Sequence, residues 1–169
     1  MALVVGTDTY ITQEGADAYV SANLLSTAPE RVAWAALSGD DKDVLLRRAC
    51  QSLNRLPLVG IRAQQLQTLE FPRAIRTDSP SSYPVGYNRL GSDYVVQTAV
   101  PDVVLQAQAE EAVALAAGVP ERLSLRRQGV KAFRLGNLSE TYSGGLTGLV
   151  SEAAYNLLRP FLAGSVPIC

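Results

Sequence analysis

Asp40, Asp41 and Asp43 crowd three carboxylates into four residues, the donor type that calcium takes, but the Gly and terminal Glu of a calcium loop are missing. The cluster reads instead as the negative first turns of a helix. Glu110 and Glu111 are adjacent, so on a helix they point in different directions and cannot share a proton as a catalytic dyad does. They read as a solvated face. The run 142–148, Tyr-Ser-Gly-Gly-Leu-Thr-Gly, precedes a helix as a phosphate cradle would, yet no Lys follows its last Gly, and it reads as a hinge. The chain has no His, which removes Ser-His-Asp and Cys-His pairs, His-ligated zinc and an imidazole proton shuttle. Its two cysteines, Cys50 and Cys169, cannot build a four-ligand zinc site, and its serines have no visible base to activate them. No catalytic, metal-binding or cofactor-binding residue is nominated, and an enzyme such as a small hydrolase or nuclease is the least favoured class.

The elements that would position these residues are mainly helical. Thr12 is a good N-cap for a first helix reaching about Leu25, with Ala16, Tyr19, Val20 and Leu24 on one face. Ser38 followed by Asp41 forms a capping box for a second, whose apolar stripe is Leu45, Ala49, Leu53 and Leu56 and which Pro57 ends. A third starts at Pro101, presents Leu105, Ala109, Ala112 and Ala116, and stops at Gly118. The period then falls to two. Gly136-Asn137 reads as the turn of a hairpin in which Leu135 faces Leu138, Phe133 faces Glu140 and Lys131 faces Tyr142. A last helix opens at Ser151 and presents Ala154, Leu157, Leu158 and Phe161. Residues 57–99, rich in Pro, Ser and Tyr, show no confident element and read as an extended arm.

These elements compose one domain over residues 1–169. It has a helical core at 10–56 and 100–118, the arm at 57–99, a hairpin at 125–143, and a C-terminal helix and tail at 151–169. At 169 residues and 47% hydrophobic, such a chain can bury a core without disulfides or metal. No apolar run spans a membrane, and the start lacks the basic region of a signal peptide, so synthesis in a reducing cytoplasm and no membrane partner are expected.

The net charge of -1 conceals segregation. Residues 1–46 are acidic, 47–89 basic, 90–121 acidic without a single base, and 122–134 basic without a single acid. Opposite fields on different faces suit head-to-tail contact between identical copies. Thirteen of the fifteen basic residues are Arg, which favours bidentate pairs at interfaces. Aromatic residues are sparse for a single-stranded DNA platform, where Trp34, Phe71, Tyr83, Tyr87 and Phe133 are the stacking candidates beside the two basic blocks.

Taken in order, several segments resemble the head-tail connector (adaptor) proteins of tailed phages. These are Tyr10-Ile11-Thr12 with Ala16-Asp17-Ala18-Tyr19, then Trp34 ahead of the Asp40 helix, and Gln65 with Leu69-Glu70-Phe71-Pro72-Arg73. Val100-Pro101 opening an Ala/Glu-rich helix, and Gly129-Val130 leading through Gly136 to Tyr142, complete the order. Related sequences carry the label of DnaT-like single-stranded DNA-binding protein, the alternative reading.

The resemblance implies a bundle of about four helices with a β-hairpin and long extended arms, a structural subunit that forms a homo-oligomeric ring, usually of twelve copies. Such a ring sits in the virion neck, joins the portal to the stopper or tail-completion protein, and lets packaged double-stranded DNA pass without sequence specificity. The portal side would be Tyr155, Leu158, Arg159, Phe161, Leu162, Val166, Pro167 and Ile168. Contacts between copies would pair Asp40, Asp41, Asp43, Glu110 and Glu111 with Arg126, Arg127, Lys131 and Arg134.

Overall fold

A computed structural model describes residues 3–76, 87–90, 94–120, 123–125, 128, 132–135, 138–141 and 148–163. Helix α1 (Gln13–Asn23) starts where the Thr12 hydroxyl accepts the Gly15 N–H at 3.0 Å. Helix α3 (Gly39–Asn54) starts at Ser38, whose hydroxyl accepts from the Asp41 N–H and donates to the Asp41 carboxylate at 2.6 Å. Between them a short helix α2 (Pro29–Ala35) has Pro at its start and carries Trp34 inward. The sequence reading has no helix there, because seven residues hold too little periodicity to register.

Helix α4 (Asp102–Ala117) is the axis of the fold, packed against α1, α2, α3 and the last helix, α5 (Glu152–Leu158). Neighbours on several sides leave room only for small side chains, so Ala107, Ala109 and Ala112 are fully buried. Leu105 and Ala116, expected on the buried face, are half-buried, while Val104 and Val113 take the interior positions. On α3 the stripe is likewise turned by one residue, with Leu46, Ala49, Cys50 and Leu53 inside and Leu45 and Leu56 half-buried.

The segment 57–99 is not without elements. It contains strands β1 (Ile61–Arg62), β2 (Arg73–Arg76), β3 (Tyr87–Leu90) and β4 (Tyr94–Gln97) in one antiparallel sheet of order β1-β2-β4-β3. Short strands separated by loops of unequal length give no periodicity in the sequence; their pairing is a matter of long-range backbone bonds. The segment is also bound to the C-terminal end. Val59 donates to the Phe161 carbonyl at 2.8 Å and Ala163 to the Pro57 carbonyl at 2.7 Å.

The hairpin of β5 (Ala132–Leu135) and β6 (Leu138–Thr141) pairs Leu135 with Leu138 and Phe133 with Glu140, the expected register. The expected Lys131–Tyr142 pair lies outside the described residues. The architecture is thus mainly α with small antiparallel sheets. Among the described residues, no helix is long and apolar enough to cross a membrane.

Candidate functional site

The Leu69–Arg73 motif folds into a clasp that holds the sheet to the helical core. Arg73 is only 4% exposed, and a buried guanidinium needs its donors satisfied. Its Nε donates to the Val59 carbonyl at 2.7 Å, Nη2 to the Gly60 carbonyl at 2.6 Å, and Nη1 to Glu70 Oε2 at 2.5 Å. Glu70 in turn takes Arg62 on its other oxygen at 2.7 Å. Burial pushes the Glu70 carboxyl up, but hydrogen bonds and charge from Arg62 and Arg73 outweigh it and hold the group below its ordinary range.

Gly60 is required where the chain turns into β1. Its φ is +78°, and a Cβ there would stand 2.2 Å from the Ala74 carbonyl oxygen.

Tyr10 closes the clasp from the N-terminal side. Its hydroxyl accepts the N–H groups of Glu70 at 3.1 Å and Phe71 at 3.2 Å and donates to Asn54. Phe71, followed by a cis peptide bond to Pro72, meets Tyr10 and Phe161 edge to face, with ring centroids 6.0 and 5.3 Å away. The burial of Tyr10 raises its phenol well above the usual value.

Two polar side chains of α4 perform similar joins. Gln108, fully buried, accepts the Tyr10 N–H at 2.8 Å and donates to Thr9 and to the Leu46 carbonyl. Glu111, 1% exposed, accepts the N–H groups of Val150 and Ser151 ahead of α5. Sequence reasoning passed over Gln108 and put Glu111 on the surface. The available signal was a Gln and a Glu within a run of Ala and Val that had to be buried on several sides.

Two surface clefts, each of about 360 Å³, flank α4. One is rimmed by Arg48, Gln51 and Ser52 of α3 and by Arg55, its C-cap. The other has an apolar floor of Val113, Ala114 and Ala117 beneath Glu30, Glu110 and Glu152. Val150 lines both.

Of the residues expected between copies, Asp40, Asp41 and Arg134 are exposed and Asp43 is half-buried. Glu110 is half-buried and accepts from the Tyr19 hydroxyl at 3.0 Å; burial, reinforced by that interaction, raises the Tyr19 phenol to about 12. Glu111 is withdrawn into the chain's own interior. Arg126, Arg127 and Lys131 lie outside the described residues. Of the expected portal residues, Leu158, Phe161 and Leu162 are buried in the core: Leu158 shares the inner face of α5 with Ala154, and Leu162 is held by the strand-like bridge to Leu58. Tyr155 is half-buried and Arg159 exposed; Val166, Pro167 and Ile168 lie outside the described residues. Among the resemblance motifs, Tyr10, Trp34, Phe71 and Arg73 are interior, Tyr19 and Pro72 are half-buried, and Pro101 caps α4. Gly129, Gly136 and Tyr142 lie outside the described residues.

Cys50 is buried, and burial pushes its thiol up to about 12, so it is a packing residue rather than a nucleophile. Among the described residues no group of His, Cys, Asp and Glu is placed to hold a metal ion.

Over residues 1–168 the chain matches the family model described as "Putative DnaT-like ssDNA binding protein". The chain belongs to that family. No curated protein and no solved structure matches it.

The family's description directs attention to the stacking candidates. Trp34 is 2% exposed, donates from Nε1 to Asp17 at 2.7 Å, and has Lys42 5.3 Å from its ring centre. Phe71 is 3% exposed. Neither offers a face to a base. Tyr83 lies outside the described residues, while Tyr87 and Phe133 occupy positions on β3 and β5.

Proposed function

We propose that this chain is a structural subunit of a phage head-tail connector, an adaptor-like bundle that assembles as a ring in the virion neck. It joins the portal to the stopper or tail-completion protein, passes genomic double-stranded DNA, and makes or breaks no bond. The observation that carries the reading is the clasp. The most specific motif of the resemblance, Leu69–Arg73, has its aromatic ring, its carboxylate and its guanidinium committed to joining the sheet, the turn at 59–60, Tyr10 and the C-terminal turn. A motif used this way serves a rigid building block. Portal contact on this reading falls to Tyr155, Arg159 and the residues beyond 163.

Electron microscopy of the protein mixed with its portal tests the proposal. A ring of density beneath the portal is expected, and a bare portal at saturating protein rejects it.

A second reading, single-stranded DNA binding, is favoured by the family description. A gel-shift series across salt separates the two. Low-micromolar affinity near physiological salt with a steep salt slope supports DNA binding.

A further inference from the structure

Among the described residues, the charges that flank α4 are opposite in sign on its two sides. Arg48 of α3 and Arg55, the residue that caps its C-terminal end, stand exposed seven residues apart, about 10 Å along one helix face. Among the described residues neither has a carboxylate within ion-pair distance. Glu111 on that side is turned inward to the amides of Val150 and Ser151. Across α4, Glu30, Glu110 and Glu152 ring the apolar cleft, and among the described residues none has a cation within ion-pair distance. Helix dipoles favour Glu30 and Glu152 in the first turns of α2 and α5. The fold then gathers both with Glu110, from the middle of α4, around one opening. Nearby Arg31 directs its guanidinium to the Ser21 and Leu24 carbonyls instead.

We infer that the Glu30/Glu110/Glu152 cleft receives the Arg48/Arg55 face of a second copy of this chain. The aliphatic stems of the two arginines cover the apolar floor of Val113, Ala114 and Ala117, and their guanidinium forks meet the carboxylates at the rim. The two faces are different surfaces of one molecule, so the contact is heterologous: each copy offers one face forward and one backward, and the chain of contacts closes as a ring if the rotation per copy allows. The inference rests on the connector reading only for that closure, and it moves the contact from the 122–134 block to α3.

Sedimentation of the full chain, with charge reversals on each side, tests it. Wild-type protein is expected to self-associate, more weakly as salt rises. Arg48→Glu with Arg55→Glu should weaken association at least tenfold, and so should Glu30→Arg with Glu152→Arg, both with thermal melts like the wild type. Neutral Arg48→Gln with Arg55→Gln should weaken it less and serves if the reversal perturbs folding. Mixing the two reversed proteins should restore association, because each intact face then finds its intact counterpart and the reversed faces complement each other.

The idea is overturned if the wild type stays monomeric at about 1 mM, if both reversals associate as the wild type does, or if the mixture remains monomeric. Binding of a labelled oligo-dT by a monomeric wild type, lost in the double Arg variant, also overturns it and assigns the arginine face to nucleic acid. Portal attachment measured on the same variants keeps the readings apart. Attachment without self-association removes the paired faces and leaves the connector; self-association without attachment does the reverse.

Discussion

The carboxylate of Glu111, in the middle of α4, accepts the N–H of Ser151 at 2.8 Å, and Ser151 is the N-cap of α5. One buried side chain therefore fixes where the last helix begins, with Val150 N–H at 2.9 Å on the same oxygen. Glu111→Ala leaves those amides without an acceptor and should cost about 2–3 kcal/mol, read as a lower urea midpoint. Glu111→Gln retains an acceptor and should cost less. Hydrogen exchange at Val150 and Ser151 should quicken in the Ala variant before the rest of the core opens.

Tyr10→Phe removes a hydroxyl that serves two amides and Asn54 while leaving the ring against Phe71. A loss of about 1–3 kcal/mol is expected, at constant denaturant slope. A variant as stable as the wild type would show that the clasp does not depend on that hydroxyl.

Acid should loosen the clasp through Glu70. Its folded-state pKa is lowered, so its contribution is fully present above the unfolded value of about 4.3 and disappears as pH falls through the folded one. Comparing wild type with Glu70→Gln, the stability gap should be constant at neutral pH and shrink on acidification below about pH 4. A gap independent of pH would exclude the ion pairs to Arg62 and Arg73 as its source.

Gly60→Ala places a methyl group 2.2 Å from the Ala74 carbonyl oxygen at a φ of +78°. The pairing of β1 with β2 must shift to admit it, at more than about 2 kcal/mol. Thermal unfolding measures this directly.

Trp34 is the chain's one tryptophan, so its fluorescence reports a single site. Its emission should be blue-shifted, resist acrylamide quenching, and stay unchanged on addition of oligo-dT. Trp34→Ala should cost about 3–5 kcal/mol as a core truncation. Quenching of the wild-type signal by the oligonucleotide would argue for stacking and for the DNA-binding reading.

Features set by neighbours along the chain were legible beforehand. The caps at Thr12, Ser38 and Ser151 depend on a hydroxyl and an amide three residues away, and the register of Leu135 with Leu138 on a two-residue turn. What required the tertiary structure was every join between distant segments: Arg73 reaching Val59, Tyr10 reaching Phe71, Glu111 reaching Ser151, and residues 57–59 pairing with 161–163. Those joins turned an apparent arm into a sheet, drew Leu158, Phe161 and Leu162 inside, and took Glu111 from the surface. Composition determined which charges and aromatic rings the chain has, since no fold can supply a missing His. Only packing decided which of them face water, because burial of a charge or a ring is settled by partners far away in sequence that satisfy it.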